Sequence, residues 1–97
     1  MYNIDDSIKL ANYQGLKATK LLELNATEVL QITLEKKAIF PAHTSPTNAV
    51  ILVLEGEIIF NINQIEYHLI PFQMFDFPKN EEHWVEAKEN SKFLIIR

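Results

Sequence analysis

The sequence predicts an all-β fold, a single-domain sandwich or barrel, from two observations. Apolar and β-branched residues occur in short runs, and turn-forming residues separate these runs at short, regular intervals. No segment has the sustained 3.6-residue periodicity that indicates a long helix. Many short strands without long helices are typical of sandwiches and barrels, and a chain of 97 residues has the size of one domain.

The N-terminal segment before the first predicted strand is ambiguous. Residues 1–7 are polar and form a lead-in. Residues 8–14 fit a short helix, capped by Asp6 or Ser7 and ended by Gly15. They also fit an edge strand, which is slightly favoured.

Two strands and a central strand follow in the first half of the chain. Leu16–Leu24 alternates imperfectly, whereas residues 28–37 alternate well and are predicted to bury one face. Residues 49–54 form a continuous apolar run that ends at Gly56. Such a run is too short for a typical helix and predicts a central strand that is covered on both sides.

The second half is predicted as strands joined by tight turns. Asn63 and Gln64 are the expected hairpin turn, because asparagine tolerates a positive φ. Pro71 and Phe72 form a second turn, expected to be type I since it lacks glycine at the third position. The predicted strands are residues 57–62, Ile65–Leu69, Met74–Phe77, His83–Ala87 and residues 93–96.

Composition excludes several classes of function. The net charge of −4 comes without a clustered basic face, so no nucleic-acid partner is expected. The chain has no cysteine, which rules out disulfides and thiolate metal sites. Its longest apolar run is far shorter than the roughly 20 residues that span a bilayer. The N-terminus lacks the apolar core of a signal peptide, so a cytoplasmic protein without a membrane partner is expected.

Two segments carry a resemblance to a known family. HTSPTNAVILVLEGE begins at His43 and contains Gly56, and FPKNEEHWVEA contains Pro78 and His83. Their order and spacing resemble the two motifs of the cupins, over about residues 8–97. The resemblance implies a conical jelly-roll barrel, a double-stranded β-helix. The single domain would cover residues 1–97, with the barrel in about 16–97 and residues 1–15 as lead-in or edge strand.

The sequence also departs from the cupin motifs at positions that matter. Ser45 replaces the second histidine and Ala49 replaces the glutamate, and in the family both positions supply metal ligands. Three motif glycines and one asparagine are also replaced, by Lys37, Phe72, Asn80 and Ala87. The Phe72 replacement implies a turn that does not need a positive φ.

The resemblance and the strand alternation together predict a site between His43 and His83. These two histidines should approach within one ligand's width and form an incomplete metal site. A typical cupin metal has three imidazoles and a carboxylate, so only weak binding of zinc, nickel, iron or manganese is expected. The predicted pocket is mostly apolar, and its lining residues are His43, Ser45, Ala49, Ile51, Val53, His83, Val85 and Ala87.

The expected function is binding of a small neutral or anionic organic molecule. Two alternatives remain open: a metal-dependent oxygenase or isomerase, and a structural or interaction barrel without a ligand. Cupins of this size are usually dimeric, and Trp84 points opposite to His83 on its strand. A homodimer with Trp84 in an outer layer or subunit contact is therefore expected.

Overall fold

The fold consists of two antiparallel β-sheets that face each other, which confirms the predicted all-β class. The computed structural model describes all residues, Met1–Arg97. Its one helix is too short to cross a membrane. The elements are α1 (Ser7–Leu10), β1 (Leu16–Leu24), β2 (Thr27–Leu34), β3 (Ile39–His43), β4 (Ala49–Glu55), β5 (Ile58–Ile62), β6 (Ile65–Leu69), β7 (Met74–Phe77), β8 (His83–Ala87) and β9 (Ser91–Ile96).

Successive strands cross repeatedly from one sheet to the other. The five-stranded sheet has the order β1-β2-β9-β4-β7, and the four-stranded sheet has the order β3-β8-β5-β6. Only the hairpins β1-β2 and β5-β6 pair neighbours in sequence, so most pairs join distant segments. This is the jelly-roll arrangement that the cupin resemblance implies.

The core lies between the sheets and is built from inward-facing side chains. On β4, Ala49, Ile51 and Val53 are buried while the residues between them are partly exposed, as period-two alternation requires. Phe60 of β5 and Phe93 of β9 are its largest fully buried apolar side chains. Fourteen buried apolar residues form one continuous cluster, so the interior is packed with side chains.

Strand β2 buries both faces, although one buried face was predicted. Ile32 and Leu34 face the core, but Gln31 and Thr33 on the opposite face are also buried. A short segment of the chain covers this outer face. The alternation of apolar and polar residues along one strand cannot predict that a distant segment will bury its polar face.

That covering segment is the N-terminal arm, residues 1–15. It contains a four-residue helix, Ser7–Leu10, so the favoured edge strand is wrong. The helical alternative is correct in type, but the helix ends at Leu10 and not at Gly15. Asp6 occupies the cap position without a side-chain hydrogen bond. The buried Lys92 donates to the Ile8 carbonyl at 2.5 Å, and Tyr13 donates to Glu55. These contacts hold the arm against the sheet.

Strand β3 was not predicted, and it positions the first histidine. Pro41 interrupts its apolar pattern and cannot donate to a ladder. The strand lies at the edge of its sheet, where proline is tolerated. Its register against β8 shifts between Phe40 and His43, and this bulge contains Pro41.

The turns keep glycine-like backbone conformations without glycine. Asn63 and Gln64 have φ values of 52° and 62°, which confirms the predicted hairpin turn. Phe72 has a φ of 70°, so the type I prediction is wrong and the turn needs a positive φ. Gly56 has no substitute, because a Cβ there would overlap the Ser91 hydroxyl and the Asn90 carbonyl.

Candidate functional site

The two predicted histidines meet at one end of the sandwich. His43 ends β3 and His83 begins β8, and the two are direct cross-strand partners. Their ring centroids lie 4.3 Å apart with the rings inclined by 65°. The prediction that they approach within one ligand's width is confirmed, although 40 positions separate them in the sequence.

Both imidazoles are held in the same tautomer. Nδ1 of His43 lies 2.7 Å from the Pro41 carbonyl oxygen, and Nδ1 of His83 lies 3.0 Å from the Glu81 carbonyl oxygen. A carbonyl oxygen only accepts, so each Nδ1 must carry the proton. In the neutral rings, each Nε2 is therefore left as an acceptor with a free lone pair.

Burial keeps His83 neutral. The side chain is 2% exposed, and desolvation lowers its pKa, as does the neighbouring His43 to a lesser degree. The hydrogen bond to the Glu81 carbonyl opposes this shift. The net lowering of the pKa makes His83 a hydrogen-bond acceptor at neutral pH.

Aromatic rings enclose the histidine pair. Phe40 stacks on His43 at 4.3 Å, and Phe60 and Phe77 lie 5.2 Å and 4.6 Å from His83. None of the three phenylalanines was predicted as part of the site. Phe40 lies on the unpredicted strand β3, so no sequence signal placed it beside His43.

Ser45 is buried near the histidines, but its hydroxyl is used by its own turn. It donates to the Thr47 carbonyl at 2.6 Å and accepts from the Thr47 amide at 3.4 Å. The Ser45 carbonyl accepts from the Asn80 amide at 2.9 Å. The residue therefore joins the β3–β4 loop to the β7–β8 loop.

The remaining predicted lining residues face the interior and pack against each other. They belong to one buried cluster and are at most 3% exposed: Ala49, Ile51, Val53, Val85 and Ala87. None of the four cavities in the structure is lined by His43 or His83. The predicted apolar pocket is thus filled by side chains in this conformation.

One cleft lies beside the predicted site at the edge of the five-stranded sheet. It has a volume of about 400 Å³ and includes Ala49 and Phe77, with Asn48 and Asp76 as its polar groups. Phe77 also contacts His83, so the cleft and the histidine pair share this residue. Asp76 is exposed to solvent.

The donors present do not fit the usual metal site of the family. Two imidazoles meet, but no group of three or more histidine, aspartate or glutamate side chains is positioned for a metal ion. Ser45 has committed its hydroxyl, and Ala49 has no donor atom. The pair could supply two ligands to a divalent ion, with the remaining positions left to water or a bound molecule.

Comparisons with known proteins agree with this fold. Residues 30–96 match the family described as "Cupin domain", and none of the curated proteins matches. A cupin-2 domain protein from Shewanella frigidimarina is 28% identical, with a TM-score of 0.80 over 99% of this chain and 92% of that chain. An RmlC-like cupin from Desulfovibrio desulfuricans is 17% identical, with a TM-score of 0.85 over 99% and 95%. KdgF from Halomonas is 16% identical, with a TM-score of 0.77 over 91% and 86%. Since the family match covers more than half of the sequence, this chain belongs to the cupin family.

Proposed function

We propose that this cupin binds a small organic molecule at the end of the sandwich where His43 and His83 meet. The observation that carries the proposal is the shared tautomer of the two imidazoles. Each Nδ1 is tied to a backbone carbonyl two residues earlier, so two acceptor nitrogens lie on adjacent strands. The Nδ1 bond alone would satisfy a purely structural role, so the two Nε2 atoms that no hydrogen bond in the protein uses are what points to a ligand.

The ligand must supply hydrogen-bond donors. Because the pKa of His83 is lowered by burial, this ring offers a neutral acceptor. An anion has no donor for that acceptor and finds no positive charge there. A neutral molecule that carries hydroxyl or N–H groups fits the pair best. The surrounding rings of Phe40, Phe60 and Phe77 favour an apolar or flat body beside those donors.

The ligand reaches His83 by way of His43. His43 is only half-buried, and its ring is held by one hydrogen bond and by the stacked Phe40. Rotation of this side chain opens space beside the buried imidazole. The ligand is therefore expected to displace His43 before it contacts His83.

NMR of the histidine rings tests the proposal with a panel of neutral hydroxyl and amide compounds as probes. We expect saturable shifts of the His43 and His83 ring signals. His43→Phe keeps the aromatic stack but removes the acceptor, so it should weaken binding about tenfold. His68→Phe is the matched control, since His68 is exposed and away from the pair. A panel without any saturable shift at either ring would reject ligand binding at this pair.

A metal-dependent oxygenase or isomerase is the second candidate. The favouring observation is again the tautomer, because metal-bound histidines usually donate their other ring nitrogen to a carbonyl or carboxylate. The missing carboxylate opposes it. Elemental analysis of untagged, dialysed protein separates the candidates: near-equimolar iron or manganese would move the enzyme to first place.

A structural or interaction barrel is the third candidate, and the packed interior favours it.

We further propose that the chain forms a homodimer, in line with the usual state of small cupins. Apolar residues that are partly or largely exposed on the outside of the five-stranded sheet supply a surface for it. These residues are Val29, Val50, Leu52, Met74, Leu94 and Ile96, and together they are the outer apolar face.

A further inference from the structure

A second candidate site lies on the other side of the five-stranded sheet from the core, under the N-terminal arm. A cavity of about 220 Å³ separates the arm from strands β1 and β2. Its floor contains Thr19, Gln31 and Thr33, its edge contains Lys17, and Ser7 and Leu10 of the arm line the opposite side. None of these residues belongs to the histidine site.

The floor of this arm cavity has unmet hydrogen-bonding capacity. Gln31 and Thr33 are 4% and 2% exposed, and neither the Gln31 Oε1 nor the Thr33 Oγ1 has a hydrogen-bond partner within the protein. Buried polar atoms are almost always paired, because leaving one unpaired costs about 1–3 kcal/mol. Both atoms therefore have capacity for a further hydrogen bond to a molecule held beside them.

The strand register brings four polar side chains together. Lys17 pairs with Thr33 and Thr19 pairs with Gln31 across the β1-β2 ladder, and all four line the cavity. Side chains two positions apart on a strand share a face. The result is a small square of one ammonium, two hydroxyls and one carboxamide.

Lys17 adds a charge that nothing in the protein neutralises. The five ion pairs of the structure use Lys20, Lys36, Lys92 and Arg97 as cations, and none uses Lys17. Lys92, the next cation along this face, is already bonded to Ile8 and Glu55. The free ammonium at the cavity edge favours an anionic group in the ligand.

We propose that the arm cavity binds a small hydroxylated carboxylic acid. Its carboxylate pairs with Lys17, and its hydroxyl groups donate to the Gln31 Oε1 and bond to the Thr33 hydroxyl. The cavity volume of about 220 Å³ equals that of about seven water molecules at roughly 30 Å³ each. An acid of three or four carbons fits this space.

Solution NMR with racemic glycerate as the probe tests the proposal on the full chain. The observed signals are the Gln31 side-chain amide and the backbone amides of Lys17, Thr19 and Thr33. We expect saturable shifts with a dissociation constant of about 1 mM, a typical affinity for so few ligand atoms. Glycerol and acetate, which each lack one part of the ligand, should bind at least about fivefold more weakly.

Two variants assign the contacts. Thr33→Val keeps the shape of the side chain and removes the unpaired hydroxyl, and Lys17→Met keeps the length and removes the charge. Each should weaken glycerate binding about tenfold. Lys36→Met is the matched control on an exposed lysine. His83→Gln tests whether this site is independent of the histidine pair. Both variants should bind glycerate as the parent does.

The outcomes that overturn the proposal are distinct. Shifts that do not saturate below about 100 mM mean that only water fills the cavity, since the affinity is then negligible. Equal binding of glycerol means that Lys17 has no role, and unchanged binding by Thr33→Val means that the ligand lies elsewhere. The amide spectrum of Thr33→Val reports whether that variant keeps the fold.

Discussion

Three positions keep the left-handed backbone of a motif glycine although none of them is glycine. Lys37, Phe72 and Asn80 have φ values of 73°, 70° and 63°. Asparagine visits this region more easily than other residues that carry a Cβ, which pay roughly 1–2 kcal/mol. The conformation is therefore imposed by the fold, at the expense of stability at Lys37 and Phe72.

Phe72→Gly should stabilise the protein by about 0.5–1 kcal/mol, because relief of the left-handed strain exceeds the extra entropy of glycine when unfolded. Phe72 is 81% exposed, so little packing is lost. Urea denaturation measures the change as a higher midpoint. Asn80→Gly is the control and should change stability by no more than a few tenths of a kcal/mol. A lower midpoint for Phe72→Gly than for Asn80→Gly would contradict this account.

His83 should make stability depend on pH between about 7 and 5. Its folded pKa lies below the unfolded value of 6.5 because burial disfavours the charged ring. The unfolded state then binds more protons in this window, so the free energy of unfolding falls as pH falls through 6.5. Glu28 and Glu55, with pKa values lowered mainly by hydrogen bonds from Arg97 and Tyr13, act only nearer pH 4.5.

Denaturation midpoints of His83→Gln and His68→Gln, measured between pH 7 and 5, show which of the two histidines causes the pH dependence of stability. His83→Gln should flatten the loss of stability between pH 7 and 5, since glutamine does not titrate. His68→Gln is the control for a histidine substitution outside the pair, and its slope should match that of the parent. An equal slope in His83→Gln and the parent would show that another group titrates there.

Two substitutions should complete a metal site at the histidine pair. Ser45→His with Ala49→Glu adds an imidazole and a carboxylate beside the existing pair, so zinc affinity should rise about 100-fold or more, measured by calorimetry at pH 7. The Ser45→His change also removes the hydroxyl bonds to Thr47, so some stability is lost. Adding His83→Gln to the double variant is the control and should abolish the gain.

Strand existence was predictable where the apolar pattern is local and uninterrupted. β1 matches the prediction at both ends, and β4 is the expected central strand. β3 was missed because Pro41 and a bulge break its period, and only pairing with β8 makes it a strand. The arm was assigned to the wrong element because its structure depends on Lys92 and Glu55, which are far away in sequence.

The arm should detach when its buried cation is removed. Lys92 is the only lysine with a buried side chain in an ion pair, at 3% exposure, and it donates to the Ile8 carbonyl. Losing a hydrogen bond from a charged group costs about 1.5–3 kcal/mol. Lys92→Met should therefore raise the population in which the arm is detached, and with it the rate of tryptic cleavage at Lys9, about tenfold or more.

Lys36→Met is the matched control for this experiment. Lys36 pairs with Glu89 at 3.9 Å, and both side chains are more than half exposed, so the pair contributes little. Its cleavage rate should equal that of the parent. If Lys92→Met is cleaved no faster than Lys36→Met, the arm is held by contacts other than the Lys92 ammonium.

At the scale of the whole molecule, the meeting of His43 and His83 was predictable and the absence of an open pocket was not. Motif order fixes which strands are neighbours, and neighbouring strands bring these residues together. Whether an interior is open depends on the summed volumes of side chains from both sheets. Ile51, Val53 and Val85 were placed correctly inward, yet together with Phe60 and Phe93 they fill the space.

The outside of the molecule offers two different faces to a second copy. The outer apolar face of the five-stranded sheet contains Met74, which is 68% exposed, beside partly exposed Leu52 and Leu94. The predicted contact residue Trp84 lies on the other sheet. It is half-buried in a groove of about 470 Å³ whose other residues include Asn61 and Glu66. Interface cores are depleted of charged residues, so the outer apolar face is the better candidate for the dimer.

Sedimentation velocity at micromolar concentration decides between the two faces. We expect the parent and Trp84→Ser to sediment as dimers. Leu52→Glu should sediment as a monomer, because symmetry places two carboxylates in one apolar interface, where an unpaired buried charge costs several kcal/mol. The Glu side chain remains in water in the isolated chain, so circular dichroism of the variant should keep its β spectrum. A monomeric Trp84→Ser with a dimeric Leu52→Glu would assign the interface to the four-stranded sheet, and a monomeric parent would reject the homodimer.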